Sequence, residues 1–120
     1  MKLRSAVTAL SALAQDNRLS VFRALVEAGP AGLCPTELSG KLGVSAPTLS
    51  FHLAQLRHAG LIGVTREGRT LHYAANFHAM NALIAFLTEN CCGGDAAKCL
   101  PVQCTPAAAT TDNVRRRRAS

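Results

Sequence analysis

Four of the five cysteines, Cys91, Cys92, Cys99 and Cys104, stand within fourteen residues, and Cys34 stands apart. In a chain with no export signal such thiols stay reduced, so their chemistry is that of nucleophiles and soft ligands. Adjacent helical residues point about 100° apart, so Cys91 and Cys92 can converge on one ion only where a helix is ending. Gly93-Gly94 supplies that ending and lets the chain fold back to deliver Cys99. Three thiolates without a hard ligand suit a soft, thiophilic centre. Lys98, beside Cys99, favours the thiolate form there. Cys104 would be needed only by a four-thiol site. Three other readings of the cluster stay open: a disulfide closing between Cys92 and Cys99, tetrahedral zinc, cadmium or lead on all four sulfurs, and a tail that carries cysteine without function.

The elements that must position this cluster can be read from apolar spacing. Leu3, Val7, Leu10 and Leu13 recur at helical intervals from Leu3 to Ala14. Asp16 is placed to cap a second helix that carries Leu19, Phe22 and Val26 and ends at Gly29-Pro30. Cys34-Pro35-Thr36-Glu37 opens a short third helix, with Pro35 at its first position, Leu38 and Leu42 inside and Gly43 as its stop. Ser45 caps a fourth helix from Ala46 to Ala59, closed by Gly60. The period then changes. Ile62 to Arg66 and Thr70 to Ala74 read as strands joined by Glu67-Gly68-Arg69, a hairpin with a charged tip. Phe77 to Asn90 is again helical through Met80, Leu83, Ile84 and Leu87. The expected organisation is a mainly α domain over residues 1–90, followed by a tail over 91–120 that contains the cysteines and ends in arginine.

Pro35 to Ala59 has the form of a helix-turn-helix. Leu49, Leu53 and Leu56 make one apolar stripe on its second helix. The opposite face then presents Thr48, Ser50, Phe51, His52 and Gln55, groups that can reach base edges in a major groove. Ser45, Pro47 and Arg57 flank that face, and an exposed Phe51 suits a thymine methyl. Arg66 and Arg69 beside the hairpin turn would place cations over the DNA backbone or minor groove, as a wing does.

Bulk properties agree with a polyanionic partner. In 120 residues there is room for one domain and a tail. Residues 1–90 hold eight Lys/Arg against five Asp/Glu, a net +3, and beyond them Arg115 to Arg118 with Lys98, against Asp95 and Asp112, bring the total to the formal +6. Neutralising phosphates with such cations releases counterions. The terminal Arg run reads as a solvated end that can add non-specific affinity. No apolar run is long enough to span a bilayer, and Ser5, Thr8 and Ser11 interrupt the N-terminal segment that a signal peptide would need. A cytoplasmic location without membrane attachment is expected.

The stretches Leu13-Ala14-Gln15-Asp16-Asn17-Arg18-Leu19, Thr36-Glu37-Leu38, Ser45 to Leu53 and Leu56-Arg57-His58-Ala59-Gly60-Leu61-Ile62 resemble the ArsR/SmtB family of metalloregulatory repressors. The likeness covers roughly residues 5–90 and is most specific in Ser-x-Pro-x-Leu-Ser-x-His-Leu. It implies a winged helix-turn-helix homodimer, paired through its first and last helices, which holds an operator when metal-free and releases it when metal binds. Members place their sites differently. The best known arsenite arrangement puts a Cys-x-Cys pair in the short helix before the reading helix, where this chain has Cys34-Pro35-Thr36, so Cys34 reads as a half-buried structural residue. The zinc arrangement uses Asp and His on the closing helices, where this chain offers Asn76, His78 and Glu89. A subset with a vicinal pair and a further cysteine just after the last helix is similar to this chain and responds to arsenite or antimonite. The resemblance therefore implies a repressor, not an enzyme, that leaves operator DNA when trivalent arsenic or antimony binds Cys91, Cys92 and Cys99. Two rivals remain: a redox-sensing or Cd/Pb/Zn-sensing repressor of the same fold, and a thiol protein that buffers arsenic on a helical scaffold.

Overall fold

Burial of one face of each helix organises residues 1–89. A computed structural model describes residues 1–95 and Ala97. The chain divides into two compact units, Met1–Glu89 and a second that begins at Asn90. The first contains α1 (Leu3–Leu13), α2 (Asp16–Ala28), α3 (Pro35–Leu42), α4 (Ala46–His58), β1 (Ile62–Glu67), β2 (Thr70–Ala75) and α5 (Phe77–Thr88). Leu25, Leu38, Leu49, Leu56, Leu61 and Val21 are the largest fully buried side chains. They come from α2, α3, α4 and the α4–β1 connection, so the helix-turn-helix shares its core with the helix before it. Each such side chain contributes about 1.5–3 kcal/mol by leaving water. Ala6 and Ala9 of α1 and Leu83 of α5 complete the same cluster. No helix among the described residues is long and apolar enough to cross a membrane.

The elements fall where the spacing places them, with local differences at their ends. The N-cap of α2 is Gln15, not Asp16: its side chain accepts from the Arg18 N–H at 2.9 Å, and Asp16 is the first helical residue. There the Asp16 carboxylate still meets the positive end of the helix dipole. Ser45 does precede α4 in extended conformation, but its hydroxyl donates to Thr48 Oγ1 (3.0 Å) instead of accepting from the helix backbone. The hairpin is one residue longer on each strand, pairing Ile62 with Ala75 through to Glu67 with Thr70. The turn is thereby reduced to Gly68-Arg69. Helix α5 stops at Thr88, two residues early, because Glu89 leaves the helical region at ψ 126° and Asn90 turns left-handed at φ 57°.

One tie was not legible in the spacing. Leu33, between α2 and α3, exchanges both backbone hydrogen bonds with Tyr73 of β2, at 2.9 and 2.8 Å. This single bridge adds a third, one-residue rung to the hairpin and anchors the α2–α3 loop against it. Gly32 makes it possible: its φ is +71°, and a Cβ there would lie 2.1 Å from the Tyr73 carbonyl oxygen.

Gly32→Ala should therefore lower the unfolding free energy by about 2 kcal/mol or more, since it combines a left-handed backbone with a backbone clash. Urea unfolding followed by circular dichroism measures this. Gly40→Ala, at a helical position where an added Cβ meets nothing within 4 Å, should match or exceed wild type.

Candidate nucleic-acid interface and thiol turn

The helix-turn-helix is built from short-range contacts. Gly43 adopts the left-handed conformation that ends α3, and its N–H donates to Ser39 O at 2.9 Å. Ser39 Oγ donates to Val44 O at 2.5 Å, which holds the turn from inside. At the other end of α3 the Glu37 side chain accepts from the Cys34 N–H at 3.0 Å, so Cys34 is the N-cap of that helix and is half-buried. The hydrogen bonds from Cys34 hold the Glu37 carboxyl below the ordinary carboxylate range, and the nearby His72 adds to this. Cys34 is thus half-buried, as the sequence suggested.

Helix α4 turns Leu49, Leu53 and Leu56 inward. Ser45, Pro47, Thr48, Ser50, Phe51, Gln55 and Arg57 are exposed, with Phe51 at 57% of its full area. His52 departs from the expected exposed face. It is buried at 6%, its Nδ1 has no hydrogen-bond partner among the described residues, and its ring stands edge-on to Phe51 at 5.8 Å. The reason is helical arithmetic. Positions 49, 52, 53 and 56 are i, i+3, i+4 and i+7, one continuous stripe, so the same count that turned the leucines inward also carries His52 in.

The hairpin presents Arg66 on β1 and Arg69 in the turn, both exposed. Glu67 lies between them in sequence, and its carboxylate stands 3.9 Å from His72 Nε2. The basic tip of the wing is thus carried by two arginines whose neighbouring acid faces a histidine.

After α5 the chain makes a tight turn. Asn90, Cys92, Gly93 and Gly94 all have positive φ, and Asp95 N–H donates to Cys92 O at 3.2 Å. Holding a side chain such as Cys92 in the left-handed region costs on the order of 1–2 kcal/mol. The result is that Cys91 and Cys92 are exposed with their sulfurs 3.7 Å apart. Metal–thiolate bonds are about 2.3 Å long, so two sulfurs at that spacing fit on one thiophilic centre. Cys99 and Cys104, expected as third and fourth ligands, lie outside the described residues, as do Lys98 and Arg115 to Arg118. Among the described residues no three His, Cys, Asp or Glu side chains form a metal-binding group. Asn76 serves as the N-cap of α5, and His78 and Glu89 are exposed.

Comparison with known proteins agrees with this architecture. Residues 13–65 match a family model described as a helix-turn-helix domain. The transcriptional activator HlyU of Vibrio cholerae is 34% identical over 87 residues, 72% of this chain and 78% of its own. Its solved structure superposes with a TM-score of 0.60 at 33% identity, covering 77% of this chain and 99% of that one. The arsenical resistance operon repressor of Escherichia coli is 38% identical over 66 residues, 55% of each chain. An ArsR-like transcriptional regulator from Rhodococcus shares the fold with a TM-score of 0.66 at 23% identity, covering 79% of this chain and 87% of that one. These relatives are transcriptional regulators rather than enzymes. With its helix-turn-helix, its two-stranded wing and these relatives, the chain belongs to the ArsR/SmtB family of winged-helix transcriptional regulators.

Proposed function

We propose that this regulator is a homodimeric repressor, released from its operator when trivalent arsenic, or antimony, binds Cys91, Cys92 and Cys99. The observation that carries the reading is the thiol pair: two exposed sulfurs 3.7 Å apart on a turn directly after the last helix. Cys99, seven residues on from Cys92, supplies the third thiolate. A relative whose own name is that of an arsenical resistance repressor supports the choice of inducer.

DNA is held by the exposed face of α4, through Ser45, Pro47, Thr48, Ser50, Phe51, Gln55 and Arg57, with Arg66 and Arg69 of the wing on the backbone. Dimerisation accounts for apolar side chains that a lone protomer leaves in water. Leu3, Val7 and Leu10 of α1 and Ile84 and Leu87 of α5 are exposed, Leu3 at 69% and Leu87 at 59%. Exposed apolar surface on this scale marks an interaction face. Two reading helices must match half-sites about 34–36 Å apart on one side of the duplex. Inducer binding after α5 would alter that spacing, and a small rotation is enough to spoil simultaneous docking.

Arg66→Ala and Arg69→Ala should each weaken binding on every duplex and lower the salt slope by about one, whereas Thr48→Ala or Gln55→Ala should relax base preference by about 1–3 kcal/mol. His52→Leu fills the same buried position without an orphaned nitrogen, so it should hold or raise stability and keep base preference. Fluorescence anisotropy on a duplex from the chain's own promoter measures all five. Loss of specificity in His52→Leu would return that ring to the interface.

The inducer site is tested on the same duplex by titrating arsenite, antimonite, zinc, cadmium and peroxide. Cys91→Ser, Cys92→Ser and Cys99→Ser should each bind DNA as wild type and fail to release it with arsenite, while Cys34→Ser and Cys104→Ser still respond. Loss of the response in Cys34→Ser alone would move the inducer to α3. Release by peroxide or cadmium but not arsenite would leave the fold's role intact and replace the inducer.

A further inference from the structure

Asn76 is where the last helix is fastened to the reading helix. It makes four hydrogen bonds in two directions. Toward α5, its Oδ1 accepts from the Ala79 N–H at 3.1 Å and its backbone oxygen accepts from Met80 at 3.0 Å. Toward α4, its Nδ2 donates to Gly60 O at 3.0 Å and its backbone N–H donates to Leu61 O at 2.8 Å. Gly60 and Leu61 are themselves bonded to the last turn of α4, through Gly60 N–H to Arg57 O (2.9 Å) and Leu61 N–H to Leu56 O (3.0 Å). The first turn of α5 and the last turn of α4 therefore share one residue as a common clamp. A helix-capping residue needs only the acceptor arm. The amide donated to Gly60 is a second bond that capping does not require.

We infer that Asn76 is the positioning residue that couples α5 to the reading helix, and that the hydrogen bond its side-chain amide donates to Gly60 O carries much of that coupling. α5 has twelve residues, so it reaches about 18 Å from this clamp to its last residue, Thr88. A tilt imposed at the far end turns about the clamped end, and what is bonded at that end is the C-terminus of α4. The competing route is α1, which touches both α4 and α5. The inference rests on the proposed inducer only for its arsenite arm; the mechanical link stands on the geometry alone.

The side chain of Asn76 is exposed, so replacing it opens no cavity in the core. Asn76→Asp and Asn76→Ser keep an oxygen to cap α5 and lose the amide donor to Gly60. The full-length protein is measured by hydrogen exchange with and without a saturating duplex from its own promoter. In wild type, DNA held at α4 should slow exchange of the Leu83 to Phe86 amides by about threefold or more, because coupling between two sites is reciprocal. Both variants should keep operator affinity within about threefold of wild type, lose the response in α5, and show at least about fivefold less arsenite-driven release, a readout that capping alone would not move. A wild-type α5 that ignores DNA, or variants whose α5 still responds, would overturn the inference and favour α1. Collapse of operator affinity in both variants with wild-type circular dichroism would also overturn it, since Asn76 would then belong to the reading scaffold. If wild type ignores arsenite while the α5 response still depends on Asn76, the inducer is wrong and the clamp stands.

Discussion

Burial of Leu49, Leu53 and Leu56 against the neighbouring helices decides which way α4 faces, and the rest of the molecule follows from that orientation. Each leucine is worth about 1.5–3 kcal/mol when removed from water. Rotating the helix by one position, about 100°, would exchange the three leucines for Ser50, Ala54 and Arg57, and no hydrogen bond at the surface could offset the loss. The polar face is therefore held outward by the core beneath it. His52 shows the strength of this constraint. An imidazole is carried inside, leaving a nitrogen unpartnered among the described residues, because it occupies the stripe that the leucines define.

The wing depends on the same core through different bonds. Ile62 and Ala75, paired across the hairpin base, are buried with the helices. The Leu33–Tyr73 bridge then ties β2 to the loop before α3. The two arginines at the tip are thus carried on a ribbon fastened at its base and along one edge. A hairpin alone in water is marginal, so these attachments are what make the wing a fixed part of the reading surface.

At the other end of the first unit, α5 trades helical continuation for a turn. Left-handed backbone at Asn90 and Cys92 ends the regular structure and brings two sulfurs within 3.7 Å. Backbone held in a costly region at a cluster of reactive groups is a pattern associated with binding function. The turn follows α5 directly in the chain, so regular structure ends immediately before the two thiols.

Periodicity and punctuation in the chain determined most of the architecture. The 3.6-residue spacing of leucines, the change to strand alternation after Gly60 and the helix stops at Gly29, Gly43 and Gly60 mark all five helices and the hairpin, and the vicinal cysteines with two glycines mark a thiol turn. Such signals are local, because each depends on residues within a turn or two of one another. Tertiary structure alone decided the rest. Leu33 meets Tyr73 forty residues away, Gly32 must lack a side chain because a distant carbonyl lies over it, and Asn76 reaches back to Gly60. Those pairings exist only once hydrophobic burial has brought remote segments together, and no local pattern records which backbone groups will then face each other.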